Sequence, residues 1–323
     1  MPRVLRRLLP LLATTTALLA FFRYFVPNFL ATANMLDLVQ QIGVNTILAF
    51  GMTLVILIGG IDLSVGAVLA LVGTVTTFCL MHSANADGTV TGLGWPPALA
   101  MLVGFGAAAV FGLFHGVAAA RTGMPAFIIT LGSMLIARGL ALSFNEGRPM
   151  ALPNDETAFL ALGNGRIADV VPVPVVIMLA LYLAMAALLH FTVFGRHLYA
   201  IGSNRLAAQY SGIRVEQREV VVYLLAALLT AVAGMIHASQ LYGAEPSSGQ
   251  GFELNAIAAA VVGGASLKGG RGTMTGTLLG AIIIGILDKG LNQAGVHFSL
   301  QYSIKGAVIL AAVALDARRP ARG

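Results

Sequence analysis

The residues of this 323-residue chain with chemistry to offer are polar side chains set inside long apolar runs. Gln41, Asn45 and Thr53 follow one another near helical spacing, Asp62 and Ser64 stand at a glycine break just beyond them, and Asn255 opens a later run. Amides and hydroxyls carry donors and acceptors together, so they can pass a hydrophilic solute through weak contacts without a buried charge. Polar groups in an apolar setting are costly and are functional candidates by default. These six are therefore the expected translocation path. Two keep a second reading: Asp62 as a cap on the following helix, its carboxylate facing the positive end of the helix dipole, and Asn45 as a hydrogen-bond partner of a neighbouring helix.

The chemistry of catalysis is not expected. The six histidines show neither HExxH nor another ligand spacing, no GxSxG elbow occurs, and no serine has a plausible base beside it in sequence. The stretch Gly264 to Gly269 departs from the order of a phosphate-binding loop. The one cysteine, Cys79, lies in an apolar run, which excludes a disulfide within the chain. No catalytic residue, metal ligand or bound cofactor is expected, and any ATP that powers the protein is used by another subunit.

The elements that must position the polar residues are membrane spans. The chain is 58% hydrophobic and only 10% charged, with a mean hydropathy of +0.87, whereas soluble domains carry about 25% charged residues. Lipid is thus its first partner. Ten apolar runs fall near 8–25, 38–58, 61–81, 97–120, 126–143, 172–192, 219–240, 253–265, 273–288 and 300–315. They predict an all-α polytopic protein, one transmembrane domain over 1–323, with both termini on one side. Arg3, Arg6 and Arg7 precede a first run that reads as an uncleaved span; the competing reading is a cleaved leader. With a cytoplasmic N-terminus, thirteen of the nineteen basic residues fall inside, among them Arg121, Arg196, Arg205, Arg214, Arg218, Lys268 and Arg271, as the positive-inside bias requires. That bias also accounts for the net charge of +6 without nucleic acid as a partner.

Two connections are long. The segment 144–171, rich in Pro, Gly and Asn, is expected outside as a lid or docking surface. The segment 195–219 is expected inside, where NRLAAQYSGI predicts a short surface helix with an Asn start and a Gly stop. Arg205, Ala207, Ala208, Ser211 and Gly212 on it are the expected docking residues for a cytoplasmic partner. A pattern GG-x-x-L-x-x-G occurs at Gly59 and returns 204 residues later at Gly263. Irregular backbone at membrane depth is tolerated where it is buried or lines a cavity. Gly59, Gly60, Gly263 and Gly264 therefore read as hinges or gates at matched inner ends, or as close packing through small residues.

The stretches NTILAFGMTLVILIGGIDLSVGAVLALVGTV (45–75), MPAFIITLGSMLIARGLAL (124–142), FGRHLYAIGSNRLAAQYSGIRV (194–215) and ELNAIAAAVVGGASLKGGRGTMTGTLLGA (253–281) resemble the permease subunits of ATP-binding-cassette monosaccharide importers. The likeness is to the ribose, xylose and arabinose branch and runs from about 34 to 316. It implies the ten-span type II importer fold of vitamin B12 uptake, a bacterial inner-membrane location and a second permease copy, identical or not. It also implies a separate ATPase subunit and a periplasmic sugar-binding protein. The mechanism that the resemblance implies is alternating access, with the 195–219 segment coupling to the ATPase. Related branches carry branched-chain amino acids or nucleosides. The reading from another class is an ion-coupled secondary transporter, for which Asp62 would be the buried acid.

Overall fold

A computed structural model describes residues 3–84, 90–152 and 157–317. In chain order its helices are α1 (Arg3–Phe25), α2 (Thr32–Leu57), α3 (Val65–Leu80), α4 (Pro97–Thr122), α5 (Ala126–Ser143), α6 (Thr157–Asn164), α7 (Val173–Phe191), α8 (Val193–Ser203), α9 (Arg205–Tyr210), α10 (Val215–Gln240), α11 (Phe252–Val262), α12 (Met274–Gln293) and α13 (Phe298–Ala317). Seven are long and apolar enough to cross a membrane: α1, α2, α4, α5, α7, α10 and α12. Shorter apolar helices, α3, α11 and part of α13, occupy the other three runs. The protein is an all-α polytopic membrane protein.

Two runs differ from the expected spans. The run 61–81 begins as the turn Gly59–Ser64 and is helical only from Val65. The run 253–265 holds an 11-residue helix, about 16 Å at 1.5 Å per residue and roughly half of a bilayer's apolar thickness. The remaining depth is crossed by irregular chain. Gly249 packs against Gly66 and Leu69, and Leu69 in turn against Gly234 of α10. Since Gly234 lies six residues before the end of α10, the segment 241–251 dips back by about 9 Å before Gly251 (φ +81°) leads into α11.

The central helix is α2, buried from Ile47 to Leu57 along its whole circumference. Helix α10 packs against it, α3 and α4 through small residues. Gly51 meets Ala226, Gly112 meets Tyr223 and Ala227, Gly116 meets Val220, and Gly234 meets Leu69 and Val72. In lipid no hydrophobic drive separates helix faces from solvent, so association depends on close backbone approach of this kind. The outward faces of α4, α5, α7 and α13 carry Leu102, Leu135, Leu183 and Leu310, all largely exposed, as lipid requires.

Among the described residues, strands form three short antiparallel pairs at one end of the bundle: β1 (Ser83–Ala84) with β2 (Val90–Thr91), β3 (Met150–Ala151) with β6 (Gly243–Ala244), and β4 (Arg166–Ile167) with β5 (Val171–Pro172). This is the hairpin end; α9 marks the other. The segment 144–171 is thus folded, with a 3-10 turn at Phe144–Gly147, β3, α6, β4 and β5; its residues 153–156 lie outside the described residues, as do Arg318, Arg319 and Arg322. The segment 195–219 is likewise not a loop. It comprises most of α8, all of α9 and the first turn of α10.

Candidate translocation and coupling site

The six expected path residues divide among three places. Gln41 and Asn45 of α2 and Asn255 of α11 line one cavity of about 50 Å³ together with Gly285 and Asp288 of α12. The Asn45 side-chain oxygen is buried there without a hydrogen-bond partner. Such a cavity has room for a few waters. Asp288 also forms an ion pair with Lys305 of α13 at 3.0 Å. Thr53 lies two turns further along α2, fully buried, with its hydroxyl 2.6 Å from that of Thr277 on α12. It joins two helices.

Asp62 and Ser64 belong to the glycine break. Asp62 Oδ1 accepts from the Ser64 amide at 2.8 Å and from the Ser64 hydroxyl at 2.6 Å, so the carboxylate closes its own turn and does not cap α3 as a helix-start residue would. On its other side Asp62 Oδ2 stands 3.8 Å from His115 Nδ1 of α4, and His115 Nε2 is 2.5 Å from the Ser133 hydroxyl of α5. In space, though not in sequence, a serine does therefore have a base beside it, because α4, α5 and the turn before α3 bring together residues that are 18 and 53 positions apart. The cluster is structural. Both His115 and Ser133 are 2% exposed, and the Ser133 hydroxyl donates to the Thr130 carbonyl at 3.2 Å. That leaves the imidazole as donor to the serine, the reverse of what a nucleophile needs. Thr130 in turn accepts from the Leu63 amide at 3.1 Å. The break is thereby stitched to α4 and α5 at membrane depth, where unpaired backbone groups are costly.

The two glycine breaks meet. The Gly270 amide donates to the Leu57 carbonyl at 2.9 Å, and a side chain at Gly269 would come within 3.1 Å of the Gly59 nitrogen. Gly59 (φ +82°) and Gly264 (φ +95°) both adopt the left-handed conformation, which glycine takes at no steric cost. Gly60 sits under the Tyr223 hydroxyl, and Gly263 packs backbone to backbone on Gly276, as Gly280 does on Ala259. Close packing and a change of chain direction thus coexist at these glycines. The end of α8 lies over the junction. Gly202 touches the Leu57 carbonyl and Gly270, and the Tyr199 hydroxyl donates to the Gly272 carbonyl at 2.8 Å. Burial pushes the Tyr199 phenol above its usual range, so it remains a donor at neutral pH.

Directly after Gly202 and Ser203 comes α9. Its Asn204 side chain accepts from the Ala207 amide at 2.9 Å, a standard N-terminal cap, and Gly212 (φ +81°) ends the turn in the manner of a helix stop. Arg205 forms an ion pair with Glu219 at the start of α10, its Nη2 3.0 Å from Oε2. Ala208 is buried beside Ile201 and Val215. Ala207, Ser211 and Gly212 are exposed. Also exposed are Leu206 at 64% and Tyr210 at 90%, two residues that the sequence does not single out because an apolar side chain in an apolar chain carries no signal of its own. Arg205 and Ala208 hold the short helix in place, and the other face is open.

Arg138 of α5, a cation within an apolar run, finds its partners in the backbone. Its Nη1 donates to the carbonyls of Pro246 at 2.6 Å and Ser248 at 2.7 Å, clamping the re-entrant segment at the hairpin end. No sequence signal marks this contact, since the carbonyls of any residues serve equally.

A bundle with a re-entrant half-helix, glycine breaks in its interior and a short helix projecting from one end is a permease architecture. Residues 34–313 match the family described as branched-chain amino acid transport system / permease component, and the chain belongs to that family. Ribose import permease protein RbsC of Bacillus subtilis (strain 168) is 43% identical over 295 residues, covering 91% of this chain and 88% of that protein. The RbsC of Escherichia coli (strain K12) is 42% identical over 304 residues, 94% of this chain and 91% of its own. Xylose transport system permease protein XylH of Escherichia coli (strain K12) is 31% identical over 366 residues, 95% and 90% respectively. No solved structure matches the chain.

Proposed function

We propose that this chain is the membrane permease subunit of an ATP-driven importer of a monosaccharide, with a pentose such as ribose as the first candidate. The observation that carries the reading is the near full-length similarity to ribose import permeases at 42–43% identity. It is supported by α9, whose exposed Leu206 and Tyr210 suit a cleft on an ATPase subunit. In this reading the α9 end is cytoplasmic and the hairpin end receives an extracytoplasmic binding protein. A second permease copy completes the translocation unit in the inner membrane. ATP is used by the partner ATPase. Movement of α9 passes through Gly202 and Tyr199 to the paired breaks at Gly59, Gly60, Gly263 and Gly264. These sit at the inner ends of α2 and α11, the helices that carry Gln41, Asn45 and Asn255. The ligands drive the cycle only by their differential affinity for its two states.

The test is uptake by vesicles holding the chain with its cognate ATPase and binding protein. Import of D-ribose, D-xylose or L-arabinose that needs both ATP and the binding protein is expected. Cysteines at Glu146 and Gln209 in a Cys79→Ser background are expected to label from outside and inside respectively. Uptake driven by an ion gradient without ATP would overturn the reading in favour of a secondary transporter, to which the buried Asp62 beside His115 would then belong.

A further inference from the structure

A cavity of about 520 Å³ opens at the hairpin end, between Pro149–Ala151 and the re-entrant segment 241–252. Its volume falls within the roughly 300–1,000 Å³ of small-molecule sites. None of the six path residues expected from sequence lines it. Its walls carry His237, Tyr242, Glu245, Ser248 and Phe252. His237 Nε2 is buried and has no hydrogen-bond partner, and an orphan of this kind calls for an occupant. The imidazole stands edge-on to the Phe252 ring, with centroids 5.5 Å apart. Glu245 Oε1 accepts from the Ser247 hydroxyl at 2.5 Å, which orients the carboxylate.

The floor is rigid. Tyr242 holds φ +53°, an uncommon conformation for a residue with a side chain and a form of strain that gathers at ligand sites. The Tyr242 carbonyl accepts from the Leu152 amide at 2.8 Å, β3 pairs with β6, and Arg138 clamps Pro246 and Ser248. Preorganisation of this kind lowers the entropic cost of binding.

We propose that this chamber is the entry subsite for the transported solute, binding a neutral monosaccharide against the Tyr242 and Phe252 rings with its hydroxyls on His237, Glu245 and Ser248. The proposal rests on the importer reading and deepens it. Aromatic faces cover the apolar C–H side of a sugar ring, while imidazole, carboxylate and hydroxyl supply both donors and acceptors for its hydroxyls. A free amino acid fits poorly. Its carboxylate needs a cation, no Lys or Arg lines the chamber among the described residues, and the neighbouring Arg138 is already engaged with two carbonyls. A small cavity between α3 and α10 shares His237, Glu245 and Ser248 with the chamber.

The test uses the full chain assembled with its ATPase in proteoliposomes, in a Cys79→Ser background. Leu241→Cys, with Pro149→Cys on the opposite wall as the second probe, is labelled by a membrane-impermeant maleimide. D-ribose, D-xylose or L-arabinose at millimolar concentrations is expected to slow labelling at least fivefold, with L-leucine and sucrose without effect. Glu245→Gln is expected to raise the protecting concentration at least tenfold. Labelling at both positions that ignores all three pentoses, or that sucrose or leucine slows equally, overturns the chamber. ATP-dependent uptake by the parent protein is read in parallel. Uptake without protection breaks the chamber and leaves the importer standing, whereas protection without uptake keeps the chamber and breaks the importer reading.

Discussion

The two ends of the bundle are built on opposite principles. At the hairpin end, short strand pairs and the Arg138 clamp hold irregular backbone around a chamber of about 520 Å³ that contains an unpaired imidazole nitrogen. At the α9 end, Gly202, Gly270, Gly59 and Leu57 meet backbone to backbone. An open, preorganised cavity is what a solute needs on arrival. Direct contact between backbones is what a rigid-body movement needs, because packed elements switch between discrete arrangements and do not deform continuously. In the proposed reading one end receives and the other transmits.

The sharpest way to break that contrast is Gly202→Leu. A side chain at 202 would collide with the Leu57 carbonyl and Gly270, separating α8 from both breaks. ATP hydrolysis coupled to the loaded binding protein is expected to disappear altogether while the protein still inserts in the membrane. Coupling at the parental level would mean that the junction transmits nothing. At the other end, Arg138→Met leaves two carbonyls of the re-entrant segment without their donor. The expected loss is about 2–4 kcal/mol, from the usual cost of unsatisfied buried groups. A thermal melt in detergent that stays within one degree of the parent would deny the clamp.

Between the ends, Asn45→Leu sharpens the comparison. The Asn45 oxygen has no partner to lose, so the melting temperature is expected to hold or rise while uptake falls severalfold; a lowered melt with uptake in proportion to folded protein would assign Asn45 to helix packing. The smallest effect belongs to Thr53→Val, which breaks the hydroxyl pair with Thr277 at a cost of about 1 kcal/mol. The double change Thr53→Val with Thr277→Val is expected to recover most of it, since both partners are then apolar. A double-mutant cycle in thermal unfolding that shows no coupling would mean that the two hydroxyls do not hold the helices together.

The apolar helices were legible because lipid imposes one requirement on each of them, and runs of apolar residues answer it one by one. Helix α9 was legible too, since Asn204 and Gly212 are local signals read from a few neighbouring positions. The helix boundaries at 61–81 and 253–265 were not. Hydropathy reports that a segment is buried, not that it is helical: Asp62 and Ser64 in the turn at Gly59–Ser64, and Glu253 and Asn255 at the short α11, are too few to interrupt the apolar runs that contain them.

Sequence by itself determined that this is a polytopic membrane protein, which family motifs it carries and where its polar residues fall along each helix. Tertiary structure alone decided which of those residues meet. It gathered Gln41, Asn45 and Asn255, sent Thr53 to Thr277 and placed Asp62 beside His115. It also built the chamber from His237 of α10 with Tyr242 and Glu245 of the re-entrant segment, and turned Arg138 to carbonyls that any residue could have offered. The physical reason is that periodicity fixes a residue's place on its own helix, whereas a cavity or a clamp depends on the rotation and depth of several helices together. Those are set by the close approach of small residues such as Gly51, Gly112 and Gly234, whose partners lie far away along the chain.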